Sequence, residues 1–441
     1  MLTPGQILPL RIEKPAAGGR MIARVDGQVV LVLGAIPGEQ VSARIERVGR
    51  GVAYADVVAI EQASDDRRAV DADPLCGGCL YAHITYARQL EIKSLVIQDA
   101  FARIGHLALP SAAVVSGSPE AGYRMRARLH VREGRIGFFR EGTHQICEAR
   151  PTRQLRDDTC DVLDRLAAGL RSLGMAGVRE IDVSENLDAS QRVVHLERTT
   201  AAAPRELSGL GLSDGLTGLT VWSPTTAVAR VAVVMGDAHV VDALPIGDVE
   251  IRLRRHVLAF FQGNRFLLPS LVSHVVSHVA EGDHVVDLYA GTGLFSVAAA
   301  RARGARVTAV EGDPTGANDL AFNAASKTAS NTTSNTASNT AYTDGHVSAV
   351  HQSVEAFVAS RHEPPSVLIV DPPRTGMSKE ALHGALGMGA STIVYVSCDV
   401  ATLARDARQL VDASYSLERV EAFDLFPNTP HVESVATFRL R

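Results

Sequence analysis

The sequence predicts an α/β plus β chain, with a C-terminal Rossmann-like domain, a small OB-like β-barrel at the N-terminus and a β-rich α+β region between them. Three observations carry this expectation. From Phe260 onward, strand-like, turn and helix-like segments alternate, as in a doubly wound α/β domain. A glycine-rich turn, Asp287-Leu288-Tyr289-Ala290-Gly291-Thr292-Gly293, joins a strand-like run to a helix-like one. Between residues 3 and 60, apolar runs such as Gln28-Val29-Val30-Leu31-Val32-Leu33 are broken by turn signals at the spacing of a small barrel.

Bulk properties bound the possibilities. A chain of 441 residues has room for two or three domains, and 46% hydrophobic with 21% charged residues permits a sizeable core. No apolar stretch approaches the ~20 residues of a membrane span. The start, Met1-Leu2-Thr3-Pro4-Gly5, lacks the regions of a signal peptide. Five cysteines do not make a disulfide framework. A cytoplasmic, reducing setting, no membrane partner and a monomer are therefore expected. The net charge of −5 excludes a surface that holds a polyanion everywhere, so any such partner needs a local basic patch.

The expected organisation is a barrel over 1–62, a central region over 63–250 and the α/β domain over 251–441. The central region divides into a cysteine-containing segment, 63–110, and a β-rich part, 111–250. The first holds Cys76-Gly77-Gly78-Cys79 and a helical pattern over 86–105. In the second, Arg124, Arg126, Arg128, His130 and Arg132 alternate with Met125, Ala127, Leu129 and Val131. On a strand this places a basic ridge opposite an apolar face. Such a ridge serves equally as a solvated strand face or as a track for a phosphate backbone. The stretch 326–343 repeats Ser-Asn-Thr with almost no large apolar residue, and reads as a disordered insertion.

In the last domain the candidate site residues fall at strand ends. Val285-Val286-Asp287 ends one strand, and the glycines that follow let a ligand approach the backbone at a helix N-terminus. Glu311 ends the next strand 20 residues after Gly291, near the spacing of a carboxylate that binds ribose hydroxyls. The loop is not the dinucleotide GxGxxG and suits S-adenosylmethionine better than NAD. Asp371-Pro372-Pro373-Arg374 closes a third strand, its prolines fixing where the acid and the arginine point. Cys398 follows the run Thr392-Ile393-Val394-Tyr395-Val396-Ser397, at the sheet edge where such folds bind ligands. A thiol there, facing a nucleotide-type site, suggests covalent catalysis, although position alone favours a buried structural cysteine and only the neighbouring motifs reverse that. Phe260-Phe261-Gln262-Gly263-Asn264 precedes the first helix, which its amides could cap.

Together with His431-Val432-Glu433-Ser434, and in this order, these motifs resemble the RNA (uracil-5-)-methyltransferase family. The similarity covers nearly the whole chain, and residues 1–62 look like the TRAM domain, a small RNA-binding barrel. The resemblance implies a class I S-adenosylmethionine-dependent enzyme that forms 5-methyluridine in ribosomal or transfer RNA. It implies cofactor contacts at Gln262, Tyr289, Gly291, Gly293, Glu311 and Asp371, substrate contacts at Asp371 and Arg374, a nucleophile at Cys398 and a proton acceptor at Glu433. Arg124, Arg126 and Arg128 are the expected RNA contacts. Cys398 would add to uracil C6, because C5 alone is too weak a nucleophile to take a methyl group.

Two departures from the family pattern stand out. Asp399-Val400 replaces the usual Asn-Pro after the nucleophile. Many members also hold a 4Fe-4S cluster on four cysteines. Here Cys76, Cys79 and Cys147 match three ligand positions, and Val70 stands where the first cysteine belongs, with Asp71 or Asp73 as substitutes. Two rival readings remain. One is an amino-methyltransferase acting on another RNA base or a protein, although Arg374 occupies the aromatic position of such enzymes. The other is a non-catalytic RNA-binding or redox protein, against which Cys398 and Glu433 count.

Overall fold

The computed structural model describes residues 2–173, 177–198, 215–222, 231–326 and 346–441. From residue 327 the Ser/Asn/Thr-rich stretch lies outside the described residues. Among the described residues, no helix is long and apolar enough to cross a membrane.

The first 62 residues fold because their apolar positions alternate. Strand Gln40–Val48 buries Val41, Ala43 and Ile45 and turns Arg44 and Glu46 to solvent. Six strands join in the order Ile7–Arg11, Gln40–Val48, Val52–Gln62, Gln28–Leu33, Met21–Val25 and Lys14–Pro15. Leu80, Tyr81, Ile84 and Ile92 from the next segment complete their core.

A second sheet, of seven strands, runs from Ile146–Glu148 through Arg135–Phe139, Arg126–Arg132, Val178–Glu185, Arg192–Arg198 and Gly218–Trp222 to Val231–Gly236. The alternation around residue 127 is realised: Ala127 and Leu129 are buried, and helix Asp157–Ser172 lays Leu163, Leu166 and Leu170 into the same core.

The three cysteines at the family's ligand positions, Cys76, Cys79 and Cys147, gather in one buried core, without a fourth thiolate. Cys76 is bonded to Cys147, leaving Cys79 as a free, buried thiol that burial and the Asp73 charge push up to about 12. Val70 packs against the same apolar core, and Asp73 is paired with the Arg140 guanidinium. Among the described residues, no group of three or more His, Cys, Asp or Glu side chains could hold a metal ion. The donor set does not fit four thiolates, because the first ligand is an apolar side chain and two of the remaining sulfurs are joined. Cys160 lies on helix Asp157–Ser172, buried and free.

The third sheet has eight strands, in the order His346–His351, Arg306–Glu311, His284–Leu288, Val367–Val370, Thr392–Ser397, Glu433–Leu440, Tyr415–Phe423 and Val114–Ser116. The first five are parallel, and Glu433–Leu440 runs against them. Helices cover both faces, so these strands are apolar on both sides. Val285, Ile369 and Val394 enter one core, while Val286, Leu368 and Ile393 enter the other.

Segments expected in the central region, and a hairpin that straddles its expected boundary at 250, join these two cores. Hairpin residues Leu244, Ile246, Ile251 and Leu253 enter the first. Helix Tyr86–Arg103 gives Ile97, Ala100 and Phe101 to the second, and Val114–Ser116 closes the sheet edge.

Buried charges fasten the central sheet to the α/β part. Glu185, 1% exposed, accepts from Arg192 Nε at 2.5 Å and from Arg265 Nη2. Arg255, with no exposed surface, pairs with Asp242 at 2.7 Å and donates to Ser184 Oγ and the Glu185 carbonyl. Removing one partner of such a pair leaves uncompensated buried charge, at a cost of about 3–5 kcal/mol. Glu185→Ala, which takes the carboxylate from Arg265 and leaves Arg192 only the half-exposed Asp158, is therefore expected to lower the unfolding free energy by about 3–5 kcal/mol in denaturant titrations. A change below about 1 kcal/mol would show that solvent reaches this seam.

Candidate active site

Sheet register brings the two key residues of the last domain together. Strands Thr392–Ser397 and Glu433–Leu440 are antiparallel, with Ser397 opposite Ser434. The next residue outward on each strand is Cys398 on one and Glu433 on the other. Both line a cavity of about 770 Å³ at the carboxyl ends of the parallel strands, where open α/β sheets bind ligands. Cys398 is half-buried and Glu433 is 2% exposed. The Asp399 carboxylate accepts from the Ala401 and Thr402 amides at 3.0 and 2.8 Å and so caps helix Val400–Asp412. The departure from Asn-Pro therefore keeps a capping side chain behind the thiol.

The glycine turn builds the opposite wall. Gly293, at φ +91°, begins helix Leu294–Arg303, and a Cβ there would meet the Leu320 side chain at 2.8 Å. Tyr289 also holds a positive φ, +63°, an uncommon conformation for a bulky residue and one that gathers at ligand sites. Glu311 accepts from the Gly291 and Asp313 amides at 2.7 and 2.6 Å, tying two strand ends together on the cavity wall. Thr292, also on this wall, carries a buried hydroxyl with no partner. Asn264, rather than Gln262, holds the turn that leads into helix Leu268–Ser277, accepting from the Phe266 and Leu267 amides; the helix itself starts after Leu267 without a side-chain cap. Gln262 is left free to reach the cavity, where its Nε2 donates to Asp371 at 3.4 Å.

Charge is concentrated here. Burial raises the Asp287 carboxyl to about 7, against the stabilising hydrogen bond from Ser296. Burial and the Asp287 charge likewise raise Asp371 to about 7. Burial, with the Asp371 charge, lifts Glu433 well above the ordinary carboxylate range, and one of its oxygens has no partner. The Cys398 thiol is pushed up to about 11 by burial and by Glu433, while the Arg374 guanidinium acts the other way. Opposite these acids, Arg124, Arg126 and Arg374 line the cavity. Among the described residues none of the three forms an ion pair with a carboxylate.

The basic ridge is thus divided. Arg124 and Arg126 face the cavity, whereas Arg128 lies outside it and is tied to Asp182 at 3.0 Å. His130 stacks on Phe139. The structure adds residues that motif spacing did not single out: Thr292, Asp313 and Phe426. Asp313 sits two places after Glu311, a position that could have been read as an N-cap before Pro314.

The chain matches the family model for tRNA (uracil-5-)-methyltransferase over residues 225–439 and the TRAM domain model over residues 2–58. The 23S rRNA (uracil(1939)-C(5))-methyltransferase RlmD of Halomonas elongata is 32% identical, covering 97% of this chain and 88% of that protein. The protein of the same name from Alcanivorax borkumensis is 30% identical over 98% of this chain and 96% of its own length. Among solved structures, the Pyrococcus abyssi tRNA (uracil-54, C5)-methyltransferase in complex with S-adenosyl-L-homocysteine matches with a TM-score of 0.70. It is 22% identical and covers 98% of this chain and 100% of that one, a likeness of fold. Motif order, sheet topology and full-length similarity agree: this chain belongs to the RNA (uracil-5-)-methyltransferase family.

Proposed function

We propose that the protein forms 5-methyluridine in ribosomal or transfer RNA by covalent catalysis from Cys398. The observation that carries this reading is the pairing of Cys398 with Glu433 in one cavity, beside a nucleoside-type turn and three guanidinium groups without counter-ions. The residues present suit S-adenosylmethionine, which when bound supplies an electrophilic methyl group. The unpartnered Thr292 hydroxyl, Glu311 and Asp313 offer hydrogen-bonding atoms to a nucleoside. Gly291, where a Cβ would meet nothing within 4 Å, leaves the turn open to a ligand. Gln262, Tyr289 and Asp371 complete that wall, while Gly293 lies behind it, packed against Leu320 and Val297.

Uracil must leave its stack to reach this depth. Phe260, 64% exposed, and Phe426 line the cavity and offer rings on which bases can stack. The Cys398 sulfur adds to C6, and the electron pair of the C5–C6 bond moves to the enolate, whose oxygen Arg374 stabilises. Arg374 also favours the thiolate over a resting thiol that burial holds high. Once C5 carries the methyl group, its C5–H bond breaks and Glu433 takes the proton. The freed pair restores the C5–C6 double bond, the C6–S bond breaks and the thiolate returns.

Three tests follow from these roles. Cys398→Ala should abolish methylation. Glu433→Gln should methylate once and then stall, leaving a covalent enzyme–RNA species that survives denaturing gels; normal turnover of either variant excludes the covalent route.

Replacing Arg124 and Arg126 by Ala should reduce the slope of log affinity for RNA against log salt by roughly 0.7–0.9 per arginine, since fewer counter-ions are released. Arg128→Ala, already neutralised by Asp182, should change it less. An unchanged slope in the double variant would return the ridge to a structural role.

The pH test uses Asp287 and Asp371, both raised to about 7. A bound sulfonium stabilises their ionised forms, so it binds better where they have lost their protons. S-adenosylhomocysteine carries no charge on its sulfur. The affinity ratio of S-adenosylmethionine to S-adenosylhomocysteine should therefore rise between about pH 6 and about pH 8 in calorimetry. A ratio independent of pH would place the sulfonium away from these carboxylates.

A further inference from the structure

The nine-residue turn 424–432 joins strand Tyr415–Phe423 to the strand that starts at Glu433, and Phe423 pairs with Glu433 across its base. The turn also carries Phe426 into the cavity wall. Within it, Pro427 and Pro430 restrict the backbone, Thr429 bonds to the Phe426 carbonyl and the His431 amide, and Asn428 sits at φ +65°.

Ser116, Asn264, Tyr123, Tyr81 and Arg68 bond to it from several elements, and its contacts with one distant helix are made by two buried side chains. On Tyr86–Arg103, Lys93 is 1% exposed and its Nζ lies 2.5 Å from Asp424 Oδ1, with Asp424 fully buried. The same ammonium donates to the Phe426 carbonyl at 3.3 Å. One turn back, the buried Gln89 side chain donates to Asn428 Oδ1 at 2.9 Å and accepts from the Asn428 amide at 2.9 Å. The two residues are four apart and so share one helix face. Lys93 holds the first residue of the turn and Gln89 its middle. A buried lysine at such a place is costly unless its geometry is needed, because burial disfavours the charge that Asp424 stabilises.

We propose that Lys93 and Gln89 are positioning residues for the proton-removal step. They fix the 424–432 turn, and through it the placement of Glu433 beside Cys398 and of Phe426 on the cavity wall. This inference rests on the covalent reading given above. Neither side chain lines the cavity, so both act through the turn.

A loosened turn should therefore leave the nucleophile and the cofactor wall intact while slowing release. Proton removal is sensitive to displacement, and a misplacement of about 1 Å can reduce rate by roughly 100-fold. Lys93→Met and Gln89→Leu are each expected to lower kcat by roughly 10- to 100-fold. S-adenosylmethionine affinity should stay near that of the unaltered protein, and the covalent enzyme–RNA species should accumulate in denaturing gels. Lys93→Met strands a buried carboxylate, so the double variant Lys93→Met, Asp424→Leu removes both charges and gives a second, foldable test. It should recover thermal stability and retain slow release.

Unchanged turnover in Lys93→Met and Gln89→Leu overturns the proposal. So does a loss of turnover matched by lost cofactor binding without adduct, or full recovery of turnover in the double variant. Glu433→Gln run in parallel separates the two levels. If it traps the adduct and the Lys93 and Gln89 variants do not, the positioning role alone fails. If it traps none, the covalent reading falls and the positioning role falls with it.

Discussion

The antiparallel pairing of Thr392–Ser397 with Glu433–Leu440 is the constraint on which the site depends. Side chains alternate across a strand, so a slip of one residue would send Glu433 to the opposite face from its present one. Both faces of this pair are buried, and that fixes the register. Ile393, Tyr395, Ala436 and Phe438 enter one core, while Val394, Val396 and Val435 enter the other. A slipped pairing would exchange these sets in two packed layers at once. The proximity of thiol and carboxylate is thus held by many apolar contacts distant from the chemistry. The cap at Asp399 and the Ser397 hydroxyl then fix the turn on which the thiol stands.

What the sequence revealed depended on how locally each feature is determined. The glycine turn, the Asp371-Pro372-Pro373-Arg374 corner and the position of Cys398 all follow from a strand ending where a helix or a rigid turn begins, so short windows identify them. Glu433 taken alone is an ordinary residue at the start of a strand, and only the ordered set of motifs singled it out. The amides of Phe260-Phe261-Gln262-Gly263-Asn264 could not be assigned from spacing, because either could cap the helix. Packing resolved them: Asn264 holds the turn before the helix and Gln262 faces Asp371.

Features that rest on long-range pairing were hidden. Arg128 looks equivalent to Arg126 along the chain, but Asp182 on the neighbouring strand neutralises it. The Lys93–Asp424 pair joins residues 331 positions apart, and neither stands out in its own helix or turn. The family resemblance offered a cluster with three of its four ligands matched, yet a motif says nothing of which sulfurs meet or of the apolar packing around Val70. Helix Tyr86–Arg103 reads as part of the central region by sequence, although its deeper end lies against the α/β sheet. Its placement there is what allows one helix face to hold the turn before Glu433.

The electrostatics of the cavity place a demand on that framework. Burial in a partly dehydrated space is the main reason that Asp287, Asp371 and Glu433 all hold protons more tightly than usual, and a neighbouring acid adds to it in each case: Glu311 for Asp287, Asp287 for Asp371 and Asp371 for Glu433. Among the described residues, Arg124, Arg126 and Arg374 stand on the same cavity without carboxylate partners. Left to themselves, opposite charges so near would favour collapse into ion pairs and close the space a substrate needs. Each group is instead held back by its backbone: Arg374 behind two prolines, Asp371 at a strand end under Gln262, and Glu433 on a strand whose preceding turn is pinned by Lys93 and Gln89. The separation of charge is a property of the scaffold. A cationic donor facing the acids and a polyanion facing the arginines would each relieve one half of it, so the free site is already arranged for the two ligands that its chemistry requires.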